Sequence, residues 1–170
     1  QGKGGNRQNE TAAQNRTLAP MARLRRSVDN LEMYRTRKVR ILNGAHTSLV
    51  AGAILSGIET VGQAMEDETA FAFLNKAMKE EILSTIGENE ESIAFANSVF
   101  DRFKNPFIQH KWRAIALNSV SKFSVRVLPT LLEYKEKNNK LPKCLTLSLA
   151  NLIYFYKNHY PEDAPHVVET

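Results

Sequence analysis

A chain of 170 residues with 42% hydrophobic content is long enough for one domain with a real core, and too apolar to be disordered throughout. Its one cysteine, Cys144, excludes an internal disulfide framework; no Cys/His set has zinc spacing and no apolar run reaches membrane-spanning length, so a reducing, cytoplasmic setting is expected. The net charge of +5 does not mark a nucleic-acid binder: residues 1–28 hold six basic residues against Glu10, and removing these from totals of 23 and 18 leaves 17 of each sign elsewhere.

In chain order, residues 1–28 are rich in Gly, Asn, Gln and Arg without a sustained apolar period, and read as a disordered or atypical basic arm. The arm alone would touch phosphates, without sequence specificity. Asp29 is a candidate N-cap for a turn through Leu31 and Tyr34. A long helix is predicted from near Thr36, with Ile41, Leu42, Ala45, Leu49, Val50, Ala53 and Ile54 at helical spacing. It carries Gly44, Gly52 and Gly57, and glycine costs a helix about 1 kcal/mol per site. Close packing by a neighbour or a ligand is the expected reason. Gly44 is expected to leave open space beside Asn43 and His46, and Gly57 or Gly62 to mark a break.

That helix opens with Lys38, Asn43 and His46. At 3.6 residues per turn, Asn43 would lie about 140° and His46 about 80° round from Lys38, so all three fit one side. A base, an amide donor and an imidazole on one rigid element suit proton transfer at a carbonyl. From this stretch alone the plainer reading stays open: a solvated lysine, a tolerated amide and a satisfied core histidine.

The period resumes near Thr60 with Phe71, Leu74, Met78, Ile82 and Ile86, stopped by Gly87, with Glu80 and Glu81 on the wet face. Another helix is predicted over about Glu90–Phe103, with Ile93, Phe95, Ala96, Val99 and Phe100 inward, ended by Asn105-Pro106. Residues 108–137 keep helical period through Trp112, Phe123, Leu131 and Leu132, with Pro129 kinking or splitting the run. Lys122 and Arg126 stand at i,i+4, where like charges repel unless something anionic lies between them; a ligand carboxylate or an acidic side chain such as Glu133 would answer. Residues 135–140 read as a charged turn, Lys143–His159 as the last helix with Leu145, Leu149, Leu152, Ile153, Phe155 and Tyr156 apolar, and 161–170 as a polar tail. Without strands or repeats, the class is all-α, with about five or six helices.

The run Arg37-Lys38-Val39-Arg40-Ile41-Leu42-Asn43-Gly44-Ala45-His46-Thr47 resembles the active-site helix of the polyol-specific long-chain dehydrogenases, the mannitol dehydrogenase family. Arg102-Phe103-Lys104-Asn105-Pro106 and the later Ser121-x-Phe123-x2-Arg126-x-Leu128-Pro129 resemble later helices of the same proteins. Leu42-Asn43-Gly44-Ala45-His46-Thr47 and Ala116–Phe123 are most similar to the tagaturonate reductase (altronate oxidoreductase) branch. The resemblance runs from about Asp29 to the C-terminus. It implies a multi-helical C-terminal domain like that of 6-phosphogluconate dehydrogenase, over residues 29–170. It also implies an NAD-dependent interconversion of D-tagaturonate and D-altronate in hexuronate catabolism. Lys38 would be general base and acid, Asn43 the donor to the carbonyl oxygen, and His46 the group that orients lysine or substrate. Lys122 and Arg126 would face the sugar-acid carboxylate. No metal is called for. The family's preceding Rossmann domain has no counterpart in the sequence, which lacks Gly-x-Gly-x-x-Gly and a strand before it. The chain is therefore expected to be inactive without that domain or a separate chain carrying it, and to self-associate through the apolar surface left bare. The alternative is a non-catalytic helical interaction module derived from the same fold.

Overall fold

The computed structural model describes residues 30–107 and 110–159, together with Arg25, Ser27 and Val28. The rest of the basic arm, the Asp29 cap and the 161–170 tail lie outside the described residues. The backbone groups into two units, Gln1–Thr36 and Arg37–Thr170. In the first, residues 30–36 are helical. The second holds the core and the predicted site, and is all-helical among the described residues.

Its first helix, α1, opens as a π turn over Lys38–Asn43 and runs on as α-helix over Gly44–Leu55. The α-helical part buries Gly44, Ala45, Thr47, Ser48, Leu49, Val50, Ala51 and Ala53. These fall all round the helix rather than on one stripe, the pattern of a central element. Short α2 (Val61–Glu66) starts with a reciprocal capping box: Gln63 N–H donates to Thr60 Oγ1, and Gln63 Oε1 accepts from Thr60 N–H. Helix α3 is continuous through Glu68–Lys76, a second π turn Ala77–Ile82, and Leu83–Ile86. Gly87, at φ 96°, stops it as expected.

Helix α4 spans Glu90–Phe103, capped by Asn89, and matches the sequence prediction. Ile93, expected inward, sits at the edge of its buried stripe and is exposed. The predicted 108–137 run is broken twice. It gives α5 (Trp112–Ala116), α6 (Ser119–Arg126) and α7 (Leu128–Asn138). One break is the proline stop at Val127-Leu128-Pro129; the other is Asn118, which takes a left-handed conformation at φ 57°, one that asparagine tolerates better than most residues. The charged turn expected over 135–140 is helix as far as Asn138. Lys137 Nζ uses that extra turn to donate to the carbonyls of Ser84 and Thr85 at the C-terminal end of α3. Helix α8 spans Lys143–His159; Leu132 and Ile153, both part of the apolar period, are exposed.

Helix α1 packs against α5, α6 and α8. Its glycines mark the close approaches. A Cβ on Gly52 would lie 2.9 Å from Asn151 Nδ2 of α8, and one on Gly44 would lie 3.3 Å from the Arg126 carbonyl of α6. The space beside Gly44 is therefore filled by α6 backbone rather than open. An antiparallel bridge, Thr60 to Lys111, ties the entry of α2 to that of α5. Val61 N–H donates to His110 O and Trp112 N–H to Glu59 O, which fixes where His110 and the fully buried Trp112 sit.

Candidate active site

The π turn changes how the three residues of α1 stand to one another. Gly44 N–H reaches back five residues to Val39 O. In that register residue i+5, rather than i+4, is the neighbour of residue i one turn along the same face. Lys38 and Asn43 therefore stack on one face instead of standing about 140° apart, as a 3.6-residue period would have them. Normal helix resumes at Gly44, which puts His46 about 60° round from Asn43. Lys38 is exposed, and Asn43 and His46 are half-buried. Thr47 Oγ1 donates to the Asn43 carbonyl at 2.8 Å and ties the end of the π turn to the helix that follows.

His46 lies in an aromatic seat. Its ring is 4.2 Å from Phe103 and 6.2 Å from both His110 and Trp112, centre to centre. Burial is the main reason its pKa is lowered to about 4, and His110, Arg126 and Arg102 lower it further; a hydrogen bond to the Leu42 backbone opposes them. His46 is therefore neutral near pH 7. With one ring nitrogen bonded to Leu42, inside the π turn, Nε2 is left buried and without a partner. Lys122 donates to the Ile115 carbonyl at 2.9 Å, and burial and Arg126 pull its pKa below the ordinary lysine value.

The two stretches singled out in the sequence thus meet. The Arg126 backbone lies against Gly44, and the Arg126 charge is felt by both His46 and Lys122. Arg102 and His110 join them, although neither was proposed from the sequence as a site residue. Arg102 was visible only as part of the Arg102–Pro106 motif, and His110 carried no spacing signal, because the bridge to Glu59–Val61 is what brings it in. Glu133 does not relieve the Lys122–Arg126 repulsion; it pairs with Arg40. Among the described residues the ion pairs are Arg37–Glu91 and Arg40–Glu133, which leaves Arg102, Lys122 and Arg126 without a carboxylate. A cleft of about 370 Å³ near Ile54, Ile58 and Trp112 lies at the opposite end of α1 and includes none of the five predicted residues. No helix among the described residues is long and apolar enough to cross a membrane, and no group of His, Cys, Asp or Glu there is arranged to hold a metal ion.

A sequence model of the mannitol dehydrogenase C-terminal domain matches residues 30–167, so the chain belongs to that family. Among its relatives is an altronate oxidoreductase of Yersinia enterocolitica serotype O:8 / biotype 1B, 46% identical over 151 residues that cover 85% of this chain and 31% of that protein. An altronate oxidoreductase of Pectobacterium carotovorum subsp. carotovorum is 47% identical over 133 residues, 78% of this chain and 27% of that protein. The chain thus spans about a third of the length of these curated relatives. Its fold is that of the solved D-sorbitol dehydrogenase in substrate-free form (TM-score 0.68, 22% identity, covering 75% of this chain and 26% of that one). The Pseudomonas fluorescens mannitol 2-dehydrogenase, solved as a ternary complex with NAD and D-mannitol, shares it at TM-score 0.65 and 21% identity, covering 74% of this chain and 26% of that one.

Proposed function

We propose that this chain carries the substrate-side domain of a cytoplasmic, NAD-dependent oxidoreductase that interconverts D-tagaturonate and D-altronate. The observation that supports it best is the meeting of the two stretches: a proton-transfer face on the π turn of α1, and beside it cations with no carboxylate partner among the described residues. A sugar acid matches both, its carbonyl or hydroxyl at the first and its carboxylate at the second. The altronate oxidoreductase relatives point the same way.

The described residues do not fit a dinucleotide site: their regular elements are all helices, with no strand to carry a phosphate-binding turn. NAD, which supplies or takes the hydride, is held mainly by a separate domain, in the same chain or another, and this domain does not turn over without it. What the present residues do is bind, orient and move a proton. Lys38 gives a proton to the carbonyl oxygen of tagaturonate during reduction and takes it from the altronate hydroxyl in reverse. Asn43, stacked over Lys38, donates its amide N–H to the same oxygen as negative charge develops there. His46, neutral and seated against Phe103, orients the lysine or the substrate. Lys122 and Arg126 take the carboxylate, which relieves the repulsion they otherwise bear.

The test is substrate discrimination by the full-length enzyme that carries this domain. NADH oxidation should favour tagaturonate over the neutral ketose fructose by at least about 100-fold in kcat/KM, because charge-assisted hydrogen bonds to a carboxylate are worth about 1.5–3 kcal/mol each. Arg126→Gln should raise KM for tagaturonate about tenfold or more and leave fructose unaffected. Equal use of the two ketoses would refute the sugar-acid assignment.

A further inference from the structure

The π turn that carries Lys38 is gripped from both sides. Arg37, one residue before the lysine, pairs with Glu91 at the start of α4 at 2.5 Å. Arg40, two residues after it, pairs with Glu133 on α7. The second grip is the more enclosed: side-chain exposure is 11% for Arg40 and 46% for Glu133, against 14% and 74% for Arg37 and Glu91. A π turn is rare and occurs mostly as a single-turn bulge inside an α-helix, so its persistence depends on what surrounds it. One ion pair runs from the turn itself and the other from the residue just before it, to two different helices.

We propose that the Arg40–Glu133 pair is a positioning device for the site, with Glu133 acting through Arg40 and without touching substrate. It fixes the rotation of the π turn, so that Lys38 and Asn43 hold one face. This rests on the reading of Lys38 as the proton-transferring group. Partly exposed ion pairs add little to stability, whereas displacing a reacting group by about 1 Å can cost on the order of 100-fold in rate. Losing the pair therefore appears in turnover long before it appears in folding. The rotation also matters more for Lys38 than for the carboxylate-binding residues, which sit on α6, so turnover and substrate affinity respond differently.

The experiment uses the full-length enzyme with NADH and tagaturonate, comparing Glu133→Gln, Arg40→Gln, their combination, Glu133→Asp and Lys38→Ala. The expected result is a kcat lowered about tenfold or more in either Gln variant, with KM within about threefold and the melting temperature little changed. The double variant should be no worse than the worse single one, since the two residues act as a unit. Glu133→Asp, which keeps the charge, should regain most of the rate. Should Glu133→Gln fail to fold, Glu133→Asp against Arg40→Lys gives the same comparison with both charges kept. An unchanged kcat in Glu133→Gln, when Lys38→Ala has abolished turnover, overturns the positioning role. So do losses that multiply in the double variant, or a KM that rises as much as kcat falls. Full turnover in Lys38→Ala overturns the reading of the lysine, and the purpose of the grip with it.

Discussion

The molecule uses the same irregular backbone turn twice, to opposite ends. The π turn of α1, Lys38–Asn43, carries its polar residues outward: Lys38 is exposed and Asn43 half-buried, while Ile41 alone is fully enclosed. The π turn of α3, Ala77–Ile82, carries a carboxylate inward. Glu81 is 3% exposed and accepts from the backbone N–H groups of Cys144 at 2.8 Å and Leu145 at 2.9 Å, in the first turn of α8. There it satisfies donors that a helix start leaves unpaired, and it sits where the helix dipole favours negative charge. The extra residue of a π turn re-aims a side chain. In α3 that side chain fastens two helices together; in α1, on the function proposed above, it is offered to a ligand.

The sharpest way to break this contrast is to delete each side chain and read stability apart from turnover. Glu81→Gln should destabilise the fold by about 3 kcal/mol in urea unfolding, because two buried N–H donors lose a charged acceptor and one of them faces an amide N–H₂ instead. Lys38→Ala, on the surface, should change stability by less than about 0.5 kcal/mol.

The pH dependence of stability comes next. His46 has a pKa of about 4 in the folded chain against 6.5 unfolded. Between those values the unfolded state binds more protons, so the protein loses stability as pH falls from about 6.5 to about 4, by at most about 3 kcal/mol. Denaturant titrations across that range should show the slope, and His46→Gln should flatten it. A slope unchanged by the substitution would mean that other groups carry the acid sensitivity.

Smaller effects separate the two glycine contacts of α1. Gly44→Ala presses on the Arg126 carbonyl, which is backbone and cannot swing away, so the roughly 1 kcal/mol gained in helix propensity is lost to displacement of α6. It should be destabilising by about 1 kcal/mol and should raise KM for the sugar acid. Gly52→Ala presses only on the end of the Asn151 side chain, which can turn aside, and should be neutral or stabilising by up to about 1 kcal/mol. The smallest effect is chemical. Burial and the Glu81 carboxylate push the Cys144 thiol up to about 11, so it should react with a thiol reagent at pH 8 much more slowly in the native protein than in Glu81→Gln.

Helix bounds that rest on plain signals were legible in the sequence: an Asn-Pro stop for Glu90–Phe103, and apolar spacing through Lys143–His159. The π turns were not, because hydrophobic period was read at 3.6 residues throughout. That error put Glu81 on the wet face and spread Lys38 and Asn43 apart. The break at Asn118 was missed for a related reason, since apolar spacing continues across it while the backbone reverses sign in φ. Of the site, the residues on one helix could be picked out by spacing, and Lys122 and Arg126 by their mutual repulsion. Arg102 and His110 could not, since their place beside His46 depends on the packing of Phe103 and on the Thr60–Lys111 bridge. Glu133 was noticed as a partner for cations, but tertiary packing chose Arg40 for it.

The most direct test of the chemistry assigned to the π turn is the turnover of Lys38→Ala in the full-length enzyme with NADH and tagaturonate, measured with KM. A kcat lowered by about 100-fold or more, with KM changed little, is the result expected of a residue that moves a proton in the transition state. A kcat within about twofold of the unmodified enzyme would contradict it, and would leave the turn as one more structural joint like its counterpart in α3.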